Sequence, residues 1–283
     1  MGILLRFVAL ACVLLAGLTA YSAEAVQARH ARVELLSQRT GSTGQLWLGV
    51  HFSLEKDWHI YWVNPGDSGL PPTLQWQLPA GFTAGEVQWP RPEKLKRSTL
   101  ADYGYEDDAV LLVPLRAPNG WKVSAEIGLQ AKWLICREVC IADHADLHLS
   151  LSPPSTTAQD QAQSSLFAEA RKHLPSPWPR SWKAWAVSDK DDFVLSITAG
   201  KPIPAAEFFP LLPDQIENAA PQPLQTTAHG AKITLKKSDQ LLKPIQVLKG
   251  LLVLGSGESY QLQAPVTSKP KQAHNNRSLK ENT

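Results

Sequence analysis

Apolar residues recur at every second position through much of this chain. Gln45-Leu46-Trp47-Leu48-Gly49-Val50-His51-Phe52 alternates in this way, and so does Leu74-Gln75-Trp76-Gln77-Leu78, which stops at Pro79. Leu147, Leu149 and Leu151 alternate with His148 and Ser150. Period two marks strands with one buried face. Trp58-His59-Ile60-Tyr61-Trp62-Val63 is aromatic and β-branched, then breaks at Asn64-Pro65-Gly66-Asp67-Ser68-Gly69, a run of turn formers. Val110-Leu111-Leu112-Val113-Pro114-Leu115 reads as a buried strand. Many short strands between Pro- and Gly-rich turns predict an all-β protein that begins with a sandwich.

The pattern changes at Pro153-Pro154-Ser155-Thr156-Thr157. Residues 158 to 173 carry Leu166, Phe167 and Ala170 on one side of a short helix, and Pro175, Pro177 and Pro179 then stop it. From Trp182 onward the strand signal returns in Phe193-Val194-Leu195-Ser196-Ile197, in Ala231-Lys232-Ile233-Thr234-Leu235, and in residues 246–254 and 260–264. The expected organisation has a signal peptide at residues 1–25 and a β-sandwich at 26–152. A helical, Pro-rich linker follows at 153–180, a second smaller β domain at 181–265, and a disordered polar tail at 266–283.

The N-terminus sets the compartment. Arg6 precedes an apolar run from Phe7 to Ala20, and Ala23-Glu24-Ala25 offers small residues for cleavage before Val26. The run is short of the roughly 20 apolar residues of a membrane span. Export to the periplasm is the reading, and it makes disulfides chemically accessible. A chain of 283 residues less such a leader holds enough for two ordinary domains. Net charge is only +2, and the surplus sits in the tail, where Lys269, Lys271, Arg277 and Lys280 outnumber Glu281. No basic face for nucleic acid is expected.

Of three cysteines, Cys12 lies in the leader, leaving Cys136 and Cys140 in Trp133-Leu134-Ile135-Cys136-Arg137-Glu138-Val139-Cys140. On an extended strand, positions four apart lie about 13 Å apart. A disulfide needs Cα atoms within about 7 Å, so Arg137-Glu138-Val139 must turn if the pair bonds. A staple closing so short a loop stabilises by only about 2 kcal/mol in the chain-entropy model. Small exposed disulfides are also the labile ones. The residues alone leave a staple and a redox couple open. Behind them stands a metal site: Cys136, Cys140, His144 and His148 would line one face of a helix, with ligand types suited to zinc or copper. Period-two alternation at residues 146–151 argues for a strand instead, so no metal and no cofactor are expected. Glu106-Asp107-Asp108 reads as a solvated turn. Ser68, in Gly66-Asp67-Ser68-Gly69, echoes a serine nucleophile loop but has no supporting His and Asp, so it too reads as a turn.

Four segments together resemble the N-terminal periplasmic domain of the DsbD family of thiol:disulfide interchange proteins. They are Trp58 to Gly69, Gln88-Trp89-Pro90-Arg91-Pro92, Tyr103-Gly104-Tyr105, and Trp133 to Cys140. The likeness covers about residues 30–152 and is strongest to the branch linked to suppression of copper sensitivity. Ala206-Glu207-Phe208-Phe209-Pro210 resembles part of that branch's extra β domain. The resemblance implies an immunoglobulin-like β-sandwich carrying a redox pair, serving periplasmic thiol chemistry such as cytochrome c biogenesis or copper tolerance. It implies that Cys140 is attacked in mixed disulfides, that Cys136 resolves them, and that a loop at Asp102-Tyr103-Gly104-Tyr105 caps the pair. Its implied partners are thioredoxin-like redox proteins and, because this chain shows no transmembrane or thioredoxin-like part, a separately encoded membrane reductase. The chain would then be one component of a protein-disulfide reductase. The competing reading is a non-catalytic β-sandwich that binds a partner or handles copper or zinc, with a structural disulfide.

Overall fold

A computed structural model describes residues 25–40, 45–97, 99–153 and 164–268. The expected leader up to residue 24 and the expected tail beyond residue 268 lie outside the described residues. In chain order the first half forms β1 (Ala25–Ala28), β2 (Ala31–Thr40), β3 (Gln45–Leu54), β4 (His59–Gly66), β5 (Thr73–Gln77) and β6 (Thr83–Ala84). It continues with β7 (Glu93–Arg97), β8 (Leu100–Glu106), β9 (Asp108–Arg116), β10 (Ala125–Cys136) and β11 (Cys140–Leu151). They make two sheets, ordered β1-β2-β3-β9-β6 and β11-β10-β4-β8-β7, with β5 added on β10.

This is an immunoglobulin-like sandwich, and alternation is what builds it. Ile127, Leu129, Trp133 and Ile135 on β10 face inward against Val50, Phe52 and Leu111 of the other sheet. On the other face of β10, Glu126 and Lys132 stay exposed. Each inward chain is wholly or almost wholly removed from water, and burying one side chain of this size is worth roughly 1.5–3 kcal/mol.

The second half opens with helix α1 (Ser164–Lys172), shorter than the expected 158–173 because residues 154–163 lie outside the described part. Its Phe167 is fully buried against Leu36, Val110 and Leu112 on the outer face of the five-stranded sheet. Gly49 makes room for that ring: a Cβ there would stand 3.0 Å from it. Then come β12 (Lys183–Ser188), β13 (Asp192–Thr198), β14 (Ala206–Pro210) and β15 (Leu224–Thr227), followed by β16 (Gly230–Lys236), β17 (Val247–Leu254) and β18 (Ser259–Ser268). Their seven-stranded sheet runs β14-β17-β18-β12-β13-β16-β15 around its own core of Phe193, Leu195, Phe208, Ile233, Leu248 and Leu262. β18 continues past the expected start of the tail, because Val266, Thr267 and Ser268 pair in parallel with Ala186, Val187 and Ser188. Phe209 and Leu251 of this second unit pack into the core of the first.

Candidate functional site

The site sits at the tip of the β10–β11 hairpin. Twelve residue pairs run in register from Ala125↔Leu151 to Cys136↔Cys140. That register places the two cysteines opposite one another. Arg137-Glu138-Val139 is the turn between them, closed by Arg137 N–H donating to Val139 O at 3.1 Å. The Cα atoms are 4.1 Å apart and the sulfurs are bonded. The turn that a disulfide requires is therefore a hairpin. Cys140, His144 and His148 lie along one strand, so the helical face that would gather them into a metal site does not form.

The two sulfurs differ in their surroundings. Cys136 is 2% exposed and pairs across the sheet with His59 of β4. Cys140 is exposed, along with Arg137, Glu138 and Val139. Strand β4 supplies an aromatic ring in contact with the pair. The Tyr61 hydroxyl lies 3.6 Å from Cys140 Sγ and donates to it, since a disulfide sulfur carries no proton. Tyr61 is itself buried, with the His59 ring 5.0 Å away edge-on. Behind it stands Gly69, with φ at +81° and so close that a Cβ would fall 2.1 Å from the Tyr61 ring. Only glycine suits both that backbone and that contact.

The turn itself is propped by a second aromatic residue. The Arg137 guanidinium lies over the Trp58 ring at 5.3 Å. The other partner of Trp58 is His30, stacked with centroids 3.8 Å apart and planes 7° apart. His30 Nδ1 in turn meets Glu55 at 2.7 Å.

The segment expected to cap the pair, Asp102-Tyr103-Gly104-Tyr105, lies within strand β8. The Tyr103 and Tyr105 rings belong to the sandwich core. Tyr103 packs against Trp62 and Phe209, and its hydroxyl donates to Asn218. The Tyr105 hydroxyl donates to Pro90 O. Burial raises both hydroxyl pKa values, and for Tyr103 the charges of Glu207 and Asp67 add to the effect. Both therefore remain protonated donors. Gly104 is paired with Tyr61, at an approach so close that a Cβ would stand 2.2 Å from Ile60 O. Asp102, 3% exposed, accepts from the Ser68 N–H and hydroxyl at 2.9 Å. So Ser68 serves a turn. The segment thus builds the floor behind Tyr61.

Tyr61 is the site residue that the sequence pattern did not single out. It lies in an aromatic run with no special spacing, and the only clue was its nearness to the Asn64–Gly69 turn. Two register pairs down the hairpin from the cysteines, at Leu134 and Ala142, begins a hollow of about 560 Å³, lined also by Leu70, Pro71, Lys132, Asp143 and His144. Leu70 is 63% exposed and Val139, at the hairpin tip, 62%.

A bonded cysteine pair with one exposed and one buried residue, at the end of a sandwich hairpin, is an arrangement suited to exchange. Residues 24–152 match the family model described as the N-terminal domain of thiol:disulfide interchange protein DsbD. The N-terminal periplasmic domain of ScsB from Proteus mirabilis superposes with a TM-score of 0.66 at 18% identity, covering 87% of this chain and 98% of that one. The yeast GGA1 GAE domain aligns over 47% of this chain and 100% of its own at 15% identity, but its TM-score of 0.28 supports no structural argument. No curated protein matches. Over residues 24–152, this chain is therefore similar in sequence to the N-terminal domains of the DsbD thiol:disulfide interchange proteins.

Proposed function

We propose that the chain relays electrons in the periplasm between a thioredoxin-like donor, itself served by a membrane reductase, and periplasmic thiol proteins. The observation that carries the reading is the asymmetry of the pair, with Cys140 exposed and Cys136 2% exposed. Once a partner displaces the Tyr61 ring, a donor thiolate attacks the Cys140 sulfur, the Cys136–Cys140 bond breaks, and Cys136 leaves as a thiolate. The donor's second thiolate then attacks its own sulfur in the mixed disulfide. Cys140 is released, and the pair has gained two electrons while the donor has been oxidised. In the forward step the Cys140 thiolate attacks an oxidised acceptor, and Cys136 resolves the mixed disulfide and re-forms the bond. No acid–base residue is required for this balance.

The apolar hollow farther down the same hairpin, at Leu134 and Ala142, supports docking of a partner near Cys140. Shielding is assigned to Tyr61, with residues 102–105 acting through the backbone floor they form behind it. The two-unit organisation is read as an exchange domain at 26–152, a linker at 153–180 and a second β domain at 181–265. The likeness of fold to the ScsB domain over 87% of the chain extends beyond the first unit and supports that division. It also favours the copper-sensitivity branch.

Trapping tests the reading. Cys136→Ser leaves the attacked sulfur without its resolving partner, so it is expected to accumulate mixed disulfides with a thioredoxin-like protein on non-reducing gels. Cys140→Ser is expected to accumulate none. Equal trapping by both variants, or trapping by Cys140→Ser alone, overturns the assignment. A wild-type disulfide that a thioredoxin-like donor reduces only after unfolding supports the structural staple instead.

A further inference from the structure

The turn 64–69 joins two parts of the molecule that the exchange reaction does not connect. On one side it reaches the redox pair: Gly69 packs on the Tyr61 ring, and the Tyr61 hydroxyl meets Cys140 Sγ at 3.6 Å. On the other side it is held by the second β unit at two points. Asn64, 1% exposed, donates its amide to Pro210 O at 2.7 Å. Its carbonyl accepts from Gly66 N at 3.2 Å. Asn218, 6% exposed, donates to Asp67 Oδ1 at 2.8 Å while accepting from the Tyr103 hydroxyl at 3.1 Å. Asp67 also accepts from Ala101 N at 2.7 Å, which locks the turn onto β8. Every polar group of Asn218 and Asn64 named here is spent on this junction, in surroundings where losing a hydrogen bond to a charged group is expensive.

We infer that Asn218 is a positioning residue of the redox pair: through Asp67 and the turn 64–69 it holds Tyr61 against Cys140, so that the second β unit governs access to the attacked sulfur. The inference rests on the exchange reading above. With the turn fixed, Gly69 leaves the ring no room to retreat, and a small reductant must displace Tyr61 or approach around it. With Asp67 released, the turn loses one of its anchors to the second unit, and the ring can swing away. A partner that docks on the hollow lined by Leu70 and Pro71 meets the end of the same turn, so docking and uncovering of Cys140 share one mobile element.

The test is the rate at which dithiothreitol reduces the disulfide of the full chain, measured well below the unfolding temperature. Asn218→Asp keeps an acceptor for Tyr103 but sets a carboxylate against Asp67. It is expected to speed reduction about tenfold, the rate equivalent of one charge-assisted hydrogen bond. Asn218→Ala is expected to speed it by a similar factor. Tyr61→Ala should match or exceed both. Glu207→Gln breaks a different contact between the units, the Lys94–Glu207 ion pair at 2.9 Å. That pair does not touch the turn, so the rate should stay within twofold of wild type. If Tyr61→Ala is fast while both Asn218 variants stay within twofold of wild type, the relay is overturned and the exchange reading stands. Acceleration by Glu207→Gln equal to that by Asn218→Asp would mean that general loosening of the junction is responsible, and this also overturns it. Failure of the exchange reading shows separately, as a wild-type disulfide that a thioredoxin-like donor cannot reduce in the folded protein.

Discussion

At the residue scale, the chemistry turns on which cysteine meets solvent and what lies against it. Cys136 ends the inward-packed strand β10 and is 2% exposed, whereas Cys140 begins β11 on the open side of the turn. In the proposed exchange, a difference in accessibility, more than a difference in charge, would separate the attacked from the resolving cysteine, because exchange rates depend on access as well as thiolate character. Tyr61 adds the control, and Gly69 is the residue that lets the ring sit there. Gly69→Ala brings a Cβ to within 2.1 Å of the ring at a backbone φ of +81°. A side chain strained in both respects should cost about 1–3 kcal/mol. It should also push Tyr61 off the sulfur. The expected outcome is a lower urea midpoint together with faster alkylation of Cys140 in the reduced protein. A stable variant with unchanged alkylation would show that the ring does not shield.

At the element scale, the hairpin is a delivery device. Its twelve-pair register fixes the cysteines opposite each other, and a slip by one residue would turn its inward row, Ile127, Leu129, Trp133 and Ile135, to solvent. The cost of that slip is what pins the redox turn. Helix α1 acts differently. It lies on the outer face of the five-stranded sheet, the opposite sheet from the cysteines, and Phe167 is its anchor. Phe167→Ala should lower unfolding free energy by about 3 kcal/mol, the usual range for emptying a buried aromatic site. It should leave mixed-disulfide trapping by Cys136→Ser unchanged. Loss of trapping in the folded double variant would show that the helix is coupled to the site.

At the scale of the whole molecule, two cores are joined by aromatic and polar contacts at β8 and the turn 64–69, while the outer sheet carries a charge cluster of its own. His51 on β3 meets Asp108 of β9 at 2.6 Å and Glu34 of β2 at 3.4 Å, tying three strands together. Burial by itself would lower its pKa, but the hydrogen bond and charge of Asp108, with the charge of Glu34, overcome this, and the value is raised. A raised folded value means that the folded protein holds the proton more tightly than the unfolded chain, whose histidine titrates near about 6.5. The resulting stability is full below about pH 6.5 and fades as pH climbs through the raised value. His51→Gln removes it. The gap in unfolding free energy between wild type and His51→Gln is therefore expected to be larger at pH 6 than at pH 8.5. A gap independent of pH would rule out His51 as the titrating tie.

Alternation in residues 45–52, 74–78 and 147–151 was enough to determine an all-β sandwich, because a strand's two faces are written in every second residue. The spacing of Cys136 and Cys140 was enough to require a turn between them, because an extended chain cannot bring them within bonding distance. The strands after Trp182 were marked in the same way. Tertiary structure alone decided which cysteine is exposed, because exposure depends on β4 and its neighbours lying against the hairpin. It turned Tyr103 and Tyr105 into the core, since residues on alternate positions of β8 share its inward face. It brought Tyr61 to Cys140 and Asn218 to Asp67, separated by 79 and 151 residues. No local pattern encodes such pairs, because they are fixed only when two sheets and a second core pack around the same turn.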